Sequence, residues 1–333
     1  MRARTLWRIS PGVWLAPALI ALTLYYVDTY LVRSGADPYP IALTARAVTT
    51  LGFISPICAA LGAWEGARLR RAAWWPLPIV RHRTRVAATL LAPIVAAGIV
   101  AVGAGAVHNV ASAGLITPDL RPFVIVLAVT VAHSATGFAF GLRLPMPIAV
   151  PGALLGSFLW MVMLRGLDPR WLMLLNGETT ELCCGRDTDL APAAIWGPVI
   201  VAIGATLASG ALIAVPRSGA KVTAGAIGVL ALGLSVGAFL VMPLGADPNV
   251  PRDAGALVCM TTLDGVRACV WPEHEPRLDE VAAIASEALR AWRSAGLDVP
   301  SLITEGQNPA DRSLRIGFAL ESTSVDILDG LAY

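Results

Sequence analysis

The chain has 333 residues, 56% of them hydrophobic and 14% charged, with a mean hydropathy of +0.67 and a formal net charge of +2. Soluble domains carry about a quarter charged residues, so this composition excludes an ordinary water-soluble fold and points to a polytopic membrane protein. The small net charge conceals a division, because residues 1–244 hold 18 basic and 9 acidic residues while 245–333 hold 7 and 14. An asymmetry of that size indicates two differently solvated parts.

The first ten residues carry Arg2, Arg4 and Arg8, and an apolar run follows over 13–32. That run is long and lacks a small-residue cleavage site, so it reads as a retained first span rather than a secretory signal. After the turn-rich RSGADPYP, a second apolar run covers 41–63 and ends at GARLRRAAWWPLPIVRHRTR. This loop holds Arg68, Arg70, Arg71, Arg81, Arg83 and Arg85 and no acid. A short basic loop between two spans stays on the cytoplasmic side. Trp74 and Trp75 within it are expected at the headgroup level, where indole is favoured.

Further spans are expected over 86–107, 124–142, 146–164, 193–215 and 223–242. With seven crossings the inner side carries 12 Arg and Lys, and the outer loops carry five: Arg33, Arg121, Arg165, Arg170 and Arg186. The bias sets the N-terminus in the cytoplasm and the C-terminus outside the plasma membrane. Glycines four apart recur at Gly62 and Gly66, Gly152 and Gly156, and Gly233 and Gly237. Such pairs let helix backbones approach closely where lipid offers little hydrophobic drive for association.

From Gly245 the pattern changes. Residues 256–260 and 266–271 flank Leu263-Asp264-Gly265, which reads as a β-hairpin. Leu278, Val281, Ala285, Ala288 and Trp292 make one helical stripe ended by Gly296. Leu314, Ile316, Phe318 and Leu320 alternate as a strand does, and a last helix is expected to start near Thr323. The fold class is therefore an all-α transmembrane bundle of about seven helices over 1–244. It is followed by a small α+β extracytoplasmic domain over 245–333, whose apolar pattern runs on to Tyr333.

The sequence has no GxxxxGK[ST], no HExxH and no GxSxG, so no nucleotide-phosphate loop, zinc-protease motif or hydrolase elbow is expected. No catalytic residue, metal or cofactor is assigned, and no nucleic-acid partner. Glu273-His274-Glu275 has no second His at ligand spacing and reads as a solvated polar turn. Cys183, Cys184, Cys259 and Cys269 all fall on the expected outer side, where disulfides persist. Cys259 and Cys269 straddle the hairpin and are the favoured pair, while Cys183 and Cys184 bond to each other or elsewhere. Cys58 reads as a small packing residue within a span. Asp28 and Arg46 are expected at one depth in neighbouring antiparallel spans, where pairing relieves desolvation. His133, flanked by Thr130, Ser134 and Thr136 in the fourth span, is an intramembrane polar candidate. His108 lies near the outer interface.

The run VCMTTLDGVRACVWPEHEPRLDE, with Cys259 and Cys269 to His274, resembles that of uncharacterised actinobacterial membrane proteins. Those proteins in turn resemble membrane subunits of ABC-2-type exporters. The resemblance implies a transporter subunit or accessory in a bacterial plasma membrane, and not an enzyme in its own right. It also implies an ATPase on a separate chain and assembly as a homo- or hetero-oligomer in the lipid bilayer. Exporter subunits of that type have six spans and both termini inside, whereas seven spans and an outer tail are expected here. A different class of function fits the acidic tail, that of a membrane-anchored binding or sensory module.

Overall fold

The computed structural model describes residues 10–31, 39–73, 75, 82–114, 117–177, 183–185, 187–215, 219–261, 265–306 and 313–315. By internal packing the chain divides into two compact units. The first comprises Met1–Gly35, Pro40–Cys183 and Leu190–Asn249, and the second Ala36–Tyr39, Cys184–Asp189 and Val250–Tyr333.

Among the described residues the first unit has eight α-helices: α1 (Pro11–Tyr26), α2 (Pro40–Val48), α3 (Leu51–Arg71), α4 (Arg83–Ser112), α5 (Phe123–Arg143), α6 (Met146–Met163), α7 (Pro192–Ala214) and α8 (Ala220–Val241). Six of them are long and apolar enough to cross a membrane, and α2 with α3 makes a seventh if that bent pair counts as one span. The seven apolar runs read from the sequence all fall on these helices. At 30 residues α4 extends about 45 Å, well beyond the roughly 30 Å of a hydrocarbon core, so it begins with Arg83 and Arg85 and ends in polar sequence.

The bend between α2 and α3 is 43° and falls at Thr49-Thr50. A break at membrane depth frees backbone carbonyls that lipid cannot satisfy. Here Thr49 Oγ1 donates to Arg46 O at 2.7 Å and Thr50 Oγ1 to Ala47 O at 2.6 Å. Asn109 of α4 donates its Nδ2 to Leu43 O at 3.2 Å. Arg46 O and Ala47 O also accept the backbone N–H groups of Thr49 and Thr50, so the bend keeps its carbonyls hydrogen-bonded.

Packing within the bundle runs through glycine. A Cβ at Gly62 or Gly66 of α3 would strike the carbonyl oxygen of Ser134 or Phe138 on α5. Gly137 and Gly141 of α5 face the carbonyls of Ala59 and Ala63 in the same way. The two helices therefore meet backbone to backbone, as small residues at helical spacing permit. At the α7–α8 crossing, a Cβ on Gly233 would lie 3.1 Å from the Cα of Gly204, and one on Gly237 2.9 Å from Gly197 O. Trp75 is buried, with its ring edge-on to Phe138 and the centroids 5.8 Å apart. Trp74 lies outside the described residues.

In the second unit β3 (Val258–Thr261) and β4 (Arg267–Val270) pair antiparallel, with Cys259 opposite Cys269. Two further strands, β5 (Leu302–Thr304) and β6 (Ser313–Arg315), add in parallel to give the order β3-β4-β5-β6. The strands Thr188–Leu190 (β1) and Asn249–Pro251 (β2) pair separately. Helix α9 (Leu278–Ser294) lays Leu278, Val281, Ala285 and Leu289 on Ala268, Val270 and Ile303 of the sheet. Gly296 ends it at φ 74°, a conformation glycine adopts without strain. Strand β5 is absent from the sequence reading, because three residues are too few to show alternation. The continuation of the Leu314 strand and the helix expected near Thr323 lie outside the described residues.

Candidate functional site

Inside the helical unit lies a cavity of about 270 Å³, near the lower end of ligand pockets, which run from about 300 to 1,000 Å³. Its back wall is α5, through Val129, His133, Thr136 and Phe140. One side is α6, presenting Gly152, Gly156, Ser157 and Trp160. The other side is α7 and α8, with Pro198, Val201, Ala205, Leu230 and Leu234, and Leu175 and Asn176 close one end. Helix α6 packs on α3 and α5 and has no extensive packing on α7 or α8. The cavity is thus a cleft between α6 and the α7–α8 pair.

Its shape follows from the third glycine pair. A Cβ added at Gly152 or Gly156 would meet nothing within 4 Å. Spacing suited to helix contact is here used to keep a wall thin.

His133 sits at the midpoint of α5, about 15 Å from either helix end at 1.5 Å per residue. Its Nδ1 is hydrogen-bonded to Ser157 Oγ across the α5–α6 contact. Thr136 Oγ1 and Ser209 Oγ of α7 are 3.0 Å apart, and Asn176 Nδ2 donates to Met161 O at 2.7 Å, capping α6. Four polar side chains therefore punctuate a wall that is otherwise apolar. His133 was legible as an ionisable group within an apolar run. Ser157 and Asn176 were not, since a helical Ser and a loop Asn carry no positional signal.

The other intramembrane candidates do not meet. Asp28 lies in the π-helical turn Val27–Leu31, exposed, with its Oδ1 3.9 Å from His108 Nε2 on α4. The described residues include no Asp28–Arg46 ion pair. Arg46 is half-buried in the last turn of α2. The expected pairing assumed two straight neighbouring spans. The structure has a π turn at Asp28 and a bend after α2 in their place.

In the second unit, Cys259 and Cys269 are disulfide-bonded with Cα atoms 4.1 Å apart, at the register position that pairs them across the hairpin. Cys183 and Cys184 are also disulfide-bonded, and Cys58 is free and buried, so the adjacent pair is left to each other. His274 departs from the expected solvated turn. It is buried, with Nδ1 2.7 Å from Glu305 Oε1. Glu305 is wholly buried and also accepts the Trp271 N–H at 2.8 Å. Beside it Arg252 donates to Glu273 at 2.9 Å, and its guanidinium carbon lies 4.0 Å from the ring centroids of both Tyr39 and Trp271. The Arg252 N–H reaches Asp187 O at 2.8 Å. These contacts explain why Ala36–Tyr39 and Cys184–Asp189, read as loops between spans, belong to the second unit. Among the described residues no group of three or more His, Cys, Asp and Glu is placed to hold a metal ion.

No curated protein and no solved structure matches the chain. Residues 268–333, which include β4, α9, β5 and β6, match the family model described as Domain of unknown function (DUF7224).

Proposed function

We propose that the chain is the membrane subunit, or an accessory membrane subunit, of an ABC-type transporter whose ATPase is a separate chain. The observation that carries this reading is the cleft at His133, a cavity bounded by four candidate spans with a polar group at mid-depth. Bundle-core cavities of this kind are where membrane proteins place substrates, and an ionisable side chain there is functional by default. The chain has no Walker A motif, so in this reading ATP is bound by a partner chain. In this reading the N-terminus and arginine loop are cytoplasmic and the second unit is extracytoplasmic, in an oxidising setting that suits its disulfides.

Affinity purification of the tagged full chain from its native membrane tests the assignment. An ATPase polypeptide in constant ratio is expected, and repeated purification without one overturns it. The orientation has its own test. A cysteine at Ala73 is expected to resist impermeant thiol reagents on intact cells while one at Leu297 reacts; equal labelling of both would reject the odd number of crossings.

A second reading, a membrane-anchored binding or sensory module, is favoured by one feature. The second unit has its own apolar core and a polar cluster built on Arg252, Glu273, His274 and Glu305. Binding of a soluble ligand by the full chain, lost on Arg252→Ala and unchanged on His133→Leu, would move the assignment there.

A further inference from the structure

The chemistry of the cleft narrows its ligand, on the reading that this cleft is the working site. We infer that it takes the hydrocarbon chain of a single-chain amphiphile such as a long fatty acid. His133 and Ser157 would meet the polar group of that ligand.

Three observations lead there. The cleft lies between α6 and the α7–α8 pair, which have no extensive packing on each other, and these helices are all candidate spans. At the mid-depth of such spans the neighbouring medium is acyl chain. The side walls are Gly152, Gly156, Val201, Ala205, Leu230 and Leu234, so a water-soluble solute would lose its hydration with few replacement hydrogen bonds. Gly152 and Gly156 leave open space on the α6 wall, which gives a hydrocarbon chain room to lie along it. His133 and Ser157 supply a hydrogen-bonded pair to meet the polar group, while Thr136 and Asn176 on the same lining already bond to Ser209 Oγ and Met161 O.

The test uses the full chain in vesicles of phosphatidylcholine and phosphatidylglycerol, with a diazirine analogue of palmitic acid as probe and adducts mapped by mass spectrometry. Adducts are expected on the cleft-lining segments around Phe140, Trp160 and Leu234, displaced by excess palmitic acid and not by hexanoic acid. Filling the slot with Gly152→Leu and Gly156→Leu should lower the cleft adducts by about tenfold or more, as expected for an affinity loss of about 1.4 kcal/mol or greater. Adducts near Trp14, an exposed residue of α1, should not change. His133→Leu should weaken displacement by palmitic acid and leave displacement by hexadecane intact. If the double variant does not fold, Ala205→Leu narrows the same slot from the opposite wall.

Labelling spread evenly over all exposed helices, or cleft labelling indifferent to both narrowing variants, overturns the inference. Neither ATP nor a partner is needed. Cleft labelling without a co-purifying ATPase would therefore retain the chain site and reject the transporter, and the converse result would do the opposite.

Discussion

The two units bury their surfaces by different means. In the helical unit α3 and α5 approach through Gly62, Gly66, Gly137 and Gly141, each backed by a carbonyl of the other helix. In the second unit α9 presents an apolar stripe of Leu278, Val281, Ala285 and Leu289 to a sheet, and a disulfide ties the first hairpin. An apolar solvent gives helices no reason to sort their faces, so contact there depends on how near two backbones can come. Water does sort them, and a small domain with a thin core then gains from a covalent tie. The material is the same chain; the medium expected around each part changes what packing must supply.

The largest expected effect tests the first half of that contrast. Gly137→Leu places a side chain into the Ala59 carbonyl, against backbone that cannot turn aside as a side chain would. Overpacking a core costs about 1–3 kcal/mol where side chains can adjust. Here the cost should exceed that range, and loss of a monodisperse species in detergent is expected. A variant as stable as the parent would show that α3 and α5 do not meet through glycine.

The second unit should be most sensitive at Glu305. Its carboxylate accepts from Trp271 N–H and pairs with His274, all of them buried. Glu305→Ala leaves buried groups without a partner, at about 1–3 kcal/mol each. Glu305→Gln keeps an acceptor and should retain part of the stability. Thermal melting followed by near-UV absorbance of Trp271 separates the two variants; equal losses would mean that volume and not hydrogen bonding holds the site.

The Cys259–Cys269 bond comes next. For a loop of this length, loop entropy predicts a contribution on the order of 2–3 kcal/mol. Replacing both cysteines, Cys259→Ser and Cys269→Ser, is expected to lower the melting point of the second unit and leave the helical unit unchanged. Free thiols at both positions in protein from the native membrane would remove the tie from the comparison. They would also undercut the outer placement proposed for this unit.

How much could be read in advance follows the same division. The long apolar helices were legible because apolar runs of eighteen or more residues have few other uses, and the hairpin because Asp264-Gly265 separates two β-prone runs. His133 was legible from the cost of an ionisable group within such a run. The cleft was not, since it is made by the helices that fail to pack, and a sequence records no absent contact. Arg252 and Glu305 were missed because a lone charge in an acidic tail normally marks solvent. Their burial comes from partners at Tyr39, Trp271 and His274, and the first of these is remote in sequence. The Asp28–Arg46 pairing was inferred from straight helices, whereas the structure has a π turn at Asp28, a bend after Arg46, and His108 3.9 Å from Asp28.

The smallest effect is the most discriminating, because it separates identical spacings. Gly62 and Gly66, Gly233 and Gly237, and Gly152 and Gly156 are indistinguishable as a motif, yet only the last pair faces open space. Gly233→Ala must move the Gly204 backbone, since the new Cβ would lie 3.1 Å from its Cα. A modest loss of stability is expected, set by how far α7 and α8 can separate. Gly152→Ala and Gly156→Ala meet nothing, so the change in helix propensity acts alone and should stabilise α6 by up to about 1 kcal/mol. Ala also leaves most of the cleft, which keeps this measurement independent of any ligand effect seen with leucine. Thermal unfolding in detergent of the three single variants decides the matter. If all three lose stability together, α6 is packed on another surface, such as a second copy of the chain, and the cleft is an interface. If Gly233→Ala alone loses, glycine spacing in this bundle serves two purposes: it joins helices at one place and keeps them apart at another.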